Sequence, residues 1–278
     1  MGIKYETFKK RLNSTFILLF ILVLIIISNS FYYLMIHLIF FISIWELFRL
    51  NRFYGLNSKK IIRNSNFILT RTKLEIVDYF VLVILSFALF IFSISNDINI
   101  MYVIFIFISL SFFLKIYSIK IILCLFYFSF PFFLLSYYRE NNDFYFFFVY
   151  IISFTILTDV GAYLFGTYFG GKKMLISISP NKTFSGLFGG ILTPTIFSIL
   201  FYNQNSYKEL ILVSIILSLS VQLGDLLVSS LKRNFGVKDS SNLIPGHGGV
   251  LDRLDGLFLL IIMVSILNVL GFNFFFIR

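Results

Sequence analysis

The chain has 278 residues, of which 59% are hydrophobic and only 13% are charged, and its mean hydropathy is +0.93. Soluble domains are about half apolar and about a quarter charged, so this composition argues against a water-soluble enzyme. It also argues against a disordered chain, because there is ample apolar surface to bury. The net charge of +10 does not indicate a nucleic-acid partner, because the basic residues are divided among short segments between apolar runs. That distribution suits contact with anionic lipid headgroups.

Nine apolar runs are long enough to cross a bilayer, since a helical crossing takes about 20 residues. The runs are continuously apolar, which favours helices over the alternating strands of a transmembrane barrel. The sequence therefore predicts an all-α, polytopic integral membrane protein with about nine transmembrane helices, at residues 14–30, 31–48, 77–95, 98–114, 119–137, 144–169, 185–202, 209–228 and 255–272.

The basic residues also predict the orientation of these helices. Four of them precede the first run as in a signal peptide, but no small-residue cleavage site follows, so we interpret this run as an uncleaved helix. If the N-terminus is cytoplasmic, all of the 23 Lys and Arg residues lie on the cytoplasmic side except Arg139, Lys208 and Arg278. We therefore expect a multi-pass protein of the inner (cytoplasmic) membrane, with its N-terminus and its polar loops in the cytoplasm.

We divide the chain into N-terminal transmembrane helices with a basic loop, residues 1–143, and a C-terminal catalytic region, residues 144–278. The second region holds five aspartates in or beside its apolar runs: Asp159, Asp225, Asp239, Asp252 and Asp255. Asp159 lies deep in the sixth run, where an unpaired carboxylate is costly. It is expected to face a polar cavity or a cation, with a helix-packing hydrogen bond or protonation as the alternatives.

A polar segment at residues 177–190 separates the sixth and seventh runs. Pro180 breaks any helix there, and Thr183 and Ser185 are suited to cap the helix that follows. Backbone N–H groups at a helix start, with Lys182 beside them, suit a phosphate. A Ser/Gly-rich loop is often inert, however, so this segment alone does not define a site.

The segment 224–256 carries the most chemistry. On a helix, one face gathers a carboxylate, a hydroxyl and two cations: Asp225, Ser229, Lys232 and Arg233. Asp252 and Asp255 lie at i and i+3 at the start of the ninth helix, so both can bind one cation or bridge two. Carboxylate ligands in a chain with only two His favour Mg²⁺, Mn²⁺ or Ca²⁺ over zinc.

A glycine-rich turn, residues 245–249, lies between these two helices. Gly248 and Gly249 lack a Cβ and therefore allow the backbone to approach a ligand closely. His247, between Gly246 and Gly248, has two interpretations that the sequence leaves open. It can bind phosphate or assist a leaving group, or it can be a plain turn residue.

At these residues the sequence resembles the phosphatidate cytidylyltransferase (CDP-diacylglycerol synthase) family of integral membrane enzymes. The family signature has the form S-x-x-K-R-x-x-x-x-K-D-x-x-x-x-x-P-x-H-G-G-x-x-D-R-x-D, and it is matched by Ser229, Lys232, Arg233, Lys238, Asp239, Pro245, His247, Gly248, Gly249, Asp252, Arg253 and Asp255. The D-x-G-A-Y segment at Asp159, the S-P-x-K-T segment at Ser179 and the pair Trp45-Glu46 are also similar. The chain departs from the family at Ser185 and Val228, where Glu is common.

The resemblance implies transfer of CMP from CTP to phosphatidate, which gives CDP-diacylglycerol and pyrophosphate. It implies catalytic roles for Lys232, Arg233, Lys238, His247 and Arg253. It implies nucleotide or phosphate binding by Lys182, Thr183, Ser229, Gly248 and Gly249. It further implies Mg²⁺ (or Mn²⁺) at Asp225, Asp239, Asp252, Asp255 and Asp159. The partners expected are CTP, phosphatidate and membrane lipid, without nucleic acid, and a homodimer is left open.

Two other functions share some of these features. A cation-coupled transporter also has intramembrane aspartates and broken spans, but it does not explain why lysines and arginines cluster with the aspartates on one side. A CTP-dependent transferase that acts on another lipid, such as a polyprenol, would use the same phosphate-binding segments. The residues alone do not exclude it.

Overall fold

The computed structural model describes residues 15–17, 19–56, 73–95, 108, 117–140, 143–175, 178–201 and 207–272. Seven long helices and two short strands follow one another there: α1 (Asn29–Leu56), α2 (Ile76–Ser95), α3 (Ile119–Tyr138), α4 (Phe144–Tyr168), β1 (Lys173–Leu175), β2 (Ser179–Thr183), α5 (Phe184–Phe201), α6 (Tyr207–Asn234) and α7 (Leu251–Val269). A shorter apolar helix, Thr15–Ile27, precedes α1.

Six helices in this part of the chain, α1 to α6, are long and apolar enough to cross a membrane. The protein is thus a helical multi-pass membrane protein, as predicted. The first predicted span corresponds to the shorter helix Thr15–Ile27, and the fourth, 98–114, lies outside the described residues except for Ile108. The ninth corresponds to α7, which begins earlier and starts with charged residues. The number nine and the orientation of the N-terminus stay predictions.

The outer face of α2 shows why these helices suit a bilayer. Its exposed side chains include Ile76, Phe80, Val83 and Phe87, which follow the helical repeat along one stripe. The opposite stripe, with Leu85 and its neighbours, is buried. A continuous apolar stripe of this length is unfavourable in water and matches a hydrocarbon environment.

A short antiparallel hairpin interrupts the helices of the described residues, whose long elements are all helical, as the predicted all-α class requires. Lys173 of β1 pairs with Thr183 of β2, and Leu175 pairs with Ser179. Pro180 lies in β2, where its missing N–H and fixed φ exclude a helix, as predicted. The hairpin leads directly into α5, so Lys182 and Thr183 are held at the start of that helix.

The chain forms two compact units, each made of two stretches. Unit 1 comprises Met1–Tyr137 and Lys232–Arg253, and unit 2 comprises Tyr138–Leu231 and Leu254–Arg278. The division at residue 143 that the sequence suggested stays a prediction.

In unit 1, aromatic packing and a buried polar cluster hold α1, α2 and α3 together. The Phe133 ring packs edge-on against Phe92, with ring centroids 5.3 Å apart. Arg52 of α1 donates to both oxygens of Asp78, at 2.7 and 2.9 Å, and the Tyr117 hydroxyl donates to the same carboxylate at 2.8 Å. Burial, with the nearby Asp78 carboxylate, raises the pKa of Tyr117.

In unit 2, α4 and α5 pack closely through small residues. A Cβ added to Gly186 would lie 2.8 Å from the carbonyl oxygen of Ala162, and one added to Gly189 would lie 2.6 Å from that of Gly161. Membrane helices commonly use such residues, because backbone contact replaces the hydrophobic drive that lipid cannot supply. This packing holds the start of α5, and with it the end of the hairpin, against α4.

Candidate functional site

The loop between α6 and α7, in unit 1, ends in the glycine-rich turn that the sequence predicted. The N–H of Ile244 donates to Gly248 O, and the N–H of His247 donates to Ile244 O, each at 2.9 Å. Gly246 and Gly248 have positive φ angles of 78° and 86°, which favour glycine. The guanidinium of Arg253, which is exposed, donates to the His247 carbonyl at 2.9 and 3.2 Å and closes the turn.

Asp252, in the first turn of α7, is the central carboxylate of this loop. Its Oδ2 accepts hydrogen bonds from the Ser240 N–H (2.9 Å), the Ser240 hydroxyl (3.1 Å) and the Gly249 N–H (2.9 Å). Its Oδ1 faces the ammonium group of Lys232 at 2.7 Å. The two N–H groups therefore fix one oxygen of the carboxylate, with the Ser240 hydroxyl beside it, and the other oxygen is directed at a cation.

Glu46 also belongs to this site, although the sequence indicated only that the pair Trp45-Glu46 is similar to the family. Its side chain, on α1, is fully buried in unit 1. Oε1 accepts from the Ser241 hydroxyl (2.5 Å) and the Val250 N–H (3.1 Å), and Oε2 accepts from the Ser240 hydroxyl (2.9 Å) and the Leu251 N–H (3.0 Å). A carboxylate inside an apolar span is costly unless it is paired, and that signal could have identified it.

The two glycines of the turn are required by these carboxylates. A Cβ on Gly249 would collide with the Ser240 hydroxyl and lie 2.5 and 2.7 Å from the oxygens of Glu46. A Cβ on Gly248 would lie 2.6 Å from Asp252 Oδ2. The space that glycine opens is thus occupied by side chains of the chain itself, and ligand binding by Gly248 and Gly249 stays a prediction.

Unit 2 contains a second lysine–aspartate pair. The ammonium group of Lys182, on β2, lies 2.5 Å from Asp225 Oδ2, and the Ser229 hydroxyl donates to Asp225 Oδ1 at 3.1 Å. The Lys182 and Asp225 side chains are 27% and 29% exposed. As at Asp252, one oxygen is held by an uncharged donor and the other faces an ammonium group.

The hydroxyl of Thr183 caps α5, as the sequence predicted. It accepts from the Gly186 N–H at 3.1 Å, which is the usual geometry of a helix N-cap. Ser185, which stands where the family commonly has Glu, donates to the carbonyl of Gly170 and ties the helix start to the preceding loop. Val228, at the second departure, is a buried apolar residue on α6.

The remaining predicted residues lie on α4, on α6 and α7 and in the loop between the last two helices. Arg233 donates to the Val237 carbonyl at 2.8 Å and closes the end of α6. Lys238 and Asp239 lie in the loop that follows, with Lys238 exposed. In unit 2, a Cβ on Gly224 would lie 2.7 Å from the carbonyl oxygen of Asp255, so the backbones of α6 and α7 meet beside Asp225. Asp159, on α4, is exposed.

The donor chemistry of the aspartates fits a hard divalent cation. Over the described ranges, no group of three or more His, Cys, Asp or Glu side chains is placed to hold a metal ion, so the five predicted aspartates do not form such a group there. Mg²⁺ commonly takes one or two carboxylates and completes its octahedral shell with water and substrate phosphates. Asp225 and Asp252 each direct one oxygen at a lysine ammonium group, and metal binding by these two carboxylates stays a prediction.

The six long apolar helices define a multi-pass membrane protein, and each of its two units contains one lysine–aspartate pair. The family model described as the cytidylyltransferase family matches residues 9–270, and the chain belongs to this family. The family predicted from the signature is therefore confirmed.

Several bacterial relatives carry the name phosphatidate cytidylyltransferase. The chain is 43% identical over 136 residues to the protein of Staphylococcus haemolyticus (strain JCSC1435), which covers 47% of this chain and 52% of the relative. It is 45% identical over 127 residues to that of Staphylococcus epidermidis (strain ATCC 12228 / FDA PCI 1200), covering 44% and 48%. It is 42% identical over 135 residues to that of Staphylococcus aureus (strain COL), covering 47% and 52%. The chain spans about half the length of the curated relatives it matches.

Proposed function

We propose that the protein is a phosphatidate cytidylyltransferase, which transfers CMP from CTP to phosphatidate and releases pyrophosphate. The observation that carries the proposal is the loop of unit 1, where the signature residues Lys232, Gly249 and Asp252 form one hydrogen-bonded cluster together with Ser240. The names of the relatives support the same reaction.

In this reaction an oxygen of the phosphatidate phosphate attacks the α-phosphorus of CTP. The bond from that phosphorus to the oxygen of the β-phosphate breaks, and pyrophosphate leaves with the bonding electrons. No protein nucleophile is needed, so the protein has to gather two anionic substrates and stabilise charge at the α-phosphate. Lys182 and Lys232 supply ammonium groups for this task, and Arg253 supplies an exposed guanidinium. Arg233, Lys238 and His247 are further predicted phosphate contacts.

We assign Mg²⁺ or Mn²⁺ to the carboxylates of Asp225 and Asp252, with Asp239, Asp255 and Asp159 as further predicted ligands. When bound, the cation neutralises charge on the phosphates and polarises their oxygens. The role of the chain is to orient the carboxylates: Ser229 holds one oxygen of Asp225, while Ser240 and Gly249 hold one oxygen of Asp252. Lys182 and Lys232 balance the charge of the other oxygens.

The proposal includes a location in the inner membrane, with the reaction at its cytoplasmic face. CTP is a soluble anion and phosphatidate remains in the leaflet, so both have to meet near the interface. The distribution of basic residues supports this orientation, because cytoplasmic loops carry an excess of Lys and Arg.

The test is an assay of the purified protein in detergent with labelled CTP and either phosphatidate or a polyprenol. We expect CDP-diacylglycerol and pyrophosphate from phosphatidate alone, and only with Mg²⁺ or Mn²⁺. A labelled polyprenyl product would identify a different acceptor. Absence of any lipid product would overturn the transferase assignment.

A further inference from the structure

One hydroxyl group lies between two carboxylates in unit 1. The Ser240 Oγ is 2.9 Å from Glu46 Oε2 and 3.1 Å from Asp252 Oδ2. A hydroxyl carries a single proton, so it donates to only one of the two oxygens at a time. The Ser240 N–H also donates to Asp252, at 2.9 Å. The position of Ser240 is therefore set by both carboxylates together.

Glu46 is fixed independently of Asp252. Its other three donors are the Ser241 hydroxyl and the N–H groups of Val250 and Leu251. The last two belong to the start of α7, where helix N–H groups lack partners within the helix and favour a negative charge. The carboxylate thus holds the loop at Ser240 and Ser241 and the beginning of the helix that carries Asp252.

The surroundings leave little freedom to this arrangement. Glu46, Ser240 and Ser241 are at most 2% exposed. Gly249 packs so tightly against Glu46 that a Cβ would lie 2.5 Å from Oε1. Close packing transmits a displacement rather than absorbing it. A change at Glu46 is therefore expected to reach Asp252 and its contact with Lys232.

We propose that Glu46 is a positioning residue that sets the carboxylate of Asp252 through the hydroxyl of Ser240. The inference rests on the proposed function, in which Asp252 and Lys232 serve the transfer. Glu46 itself touches neither substrate nor metal in this scheme. Its effect on the reaction passes through the loop.

The two neighbouring serines provide a matched pair of variants. Ser240→Ala and Ser241→Ala each remove one buried hydroxyl from Glu46, but only Ser240 contacts Asp252. We expect Ser240→Ala to lower kcat by about tenfold or more with little change in KM for CTP, because partners that orient a ligand group are worth about 10–100-fold. Ser241→Ala is expected to stay within about threefold of wild type, since every donor to Asp252 remains. Equal losses of kcat in the two variants would overturn the proposal.

A double-mutant cycle tests whether Glu46 acts by the same route. Glu46→Gln replaces one carboxylate oxygen by an NH₂ group, which cannot accept a hydrogen bond. In either orientation of the amide this group faces a backbone N–H, that of Val250 or Leu251, so one hydrogen bond to the start of α7 is lost. If Glu46 acts through Ser240, the double variant Glu46→Gln with Ser240→Ala has no lower kcat than Glu46→Gln alone. Independent, additive losses in kcat would show that Glu46 acts by another route and contradict the proposal.

Hydrogen–deuterium exchange of the full-length protein provides a readout that does not require activity. We expect faster exchange in peptides that contain the Ser240 and Gly249 amides in Glu46→Gln and Ser240→Ala than in Ser241→Ala. Identical exchange in the two serine variants would overturn the positioning role. A wild-type protein without cytidylyl transfer would defeat the proposed function. The exchange comparison would still show whether Glu46 positions the loop around Asp252.

Discussion

The ammonium group of Lys232 lies 2.7 Å from Oδ1 of Asp252, and the two side chains are only 9% and 5% exposed. In unit 2, Lys182 and Asp225 make a similar contact at 2.5 Å, but with 27% and 29% exposure. Removing one partner of a buried ion pair leaves an uncompensated charge, which costs about 3–5 kcal/mol, whereas a partly exposed pair costs less because water solvates the remaining partner. The two pairs should therefore respond differently to the same substitution.

The first prediction compares Asp252→Asn with Asp225→Asn. Both should lower turnover by about three orders of magnitude or more, because each removes a carboxylate charge proposed to act at the transition state. Only Asp252→Asn should also lower the Tm markedly, since Lys232 is then left buried without its partner. Activity assays and thermal unfolding of the purified variants check both parts. Near-normal turnover in either variant would exclude that aspartate as a metal ligand.

The second prediction concerns the cations. Lys232→Ala and Arg253→Ala should lower kcat/KM sharply. Lys232 is buried, where charge–phosphate contacts are stronger than in water, and Arg253 closes the glycine-rich turn through the His247 carbonyl. Lys172→Ala and Lys173→Ala should have small effects, since Lys173 at the start of β1 and Lys172 before it are exposed and suit lipid headgroups, at about 1 kcal/mol per charge. Assays across a range of ionic strength separate the two groups. Equal losses in all four variants, restored alike at low salt, would indicate diffuse electrostatic attraction instead.

The third prediction concerns Gly249. Gly249→Ala should impair both folding and activity, because its Cβ would meet the Ser240 hydroxyl and both oxygens of Glu46. Gly166→Ala in unit 2 is the comparison, since its Cβ would meet a single hydroxyl, that of Thr183, at 3.0 Å. Expression level, Tm and specific activity should all fall further in Gly249→Ala. A Gly249→Ala protein with wild-type stability would mean that Glu46 does not pack closely against this turn.

The fourth prediction separates structural from functional carboxylates within unit 1. Asp78→Asn should lower the free energy of unfolding by about 3–5 kcal/mol, because Asp78 is fully buried and paired with Arg52. Glu75→Gln, whose side chain is 63% exposed, should cost about 0–1 kcal/mol. Neither change should alter KM for CTP in the folded protein. A raised KM in Asp78→Asn would place this cluster in the nucleotide site.

The fifth prediction concerns orientation. A reporter fused after Arg278 should lie outside the cytoplasm, and one inserted in the loop at 229–254 should lie inside, as the distribution of basic residues requires. Accessibility of the two reporters in intact cells measures this directly. Two reporters on the same side would mean that the predicted number of crossings between them is wrong.

Local features of the site could be predicted from the sequence, and distant pairings could not. The Thr183 cap depends on residues three positions apart, and the contact of Ser229 with Asp225 follows from helical spacing. The pairing of Lys182 with Asp225 joins residues far apart in the chain, and it depends on how helices pack. The sequence did not predict that the ammonium group of Lys182 lies on the Asp225 carboxylate, and its contact with a phosphate stays a prediction.

Glu46 is the clearest case of information that a single sequence lacks. Its position inside an apolar span indicates that the carboxylate needs partners, but nothing in the local pattern says which. The hairpin was missed for a similar reason, because Pro180 excludes a helix without specifying what replaces it.

The four donors to Glu46 follow it in the chain by 194 to 205 residues. During synthesis, α1 reaches the bilayer before Ser240, Ser241, Val250 and Leu251 exist. At 5–20 residues per second, the ribosome needs about 10 to 40 s to supply them. Throughout that interval the nascent chain carries an acidic side chain whose native partners have not been made, so α1 can settle into its final position only late in biogenesis.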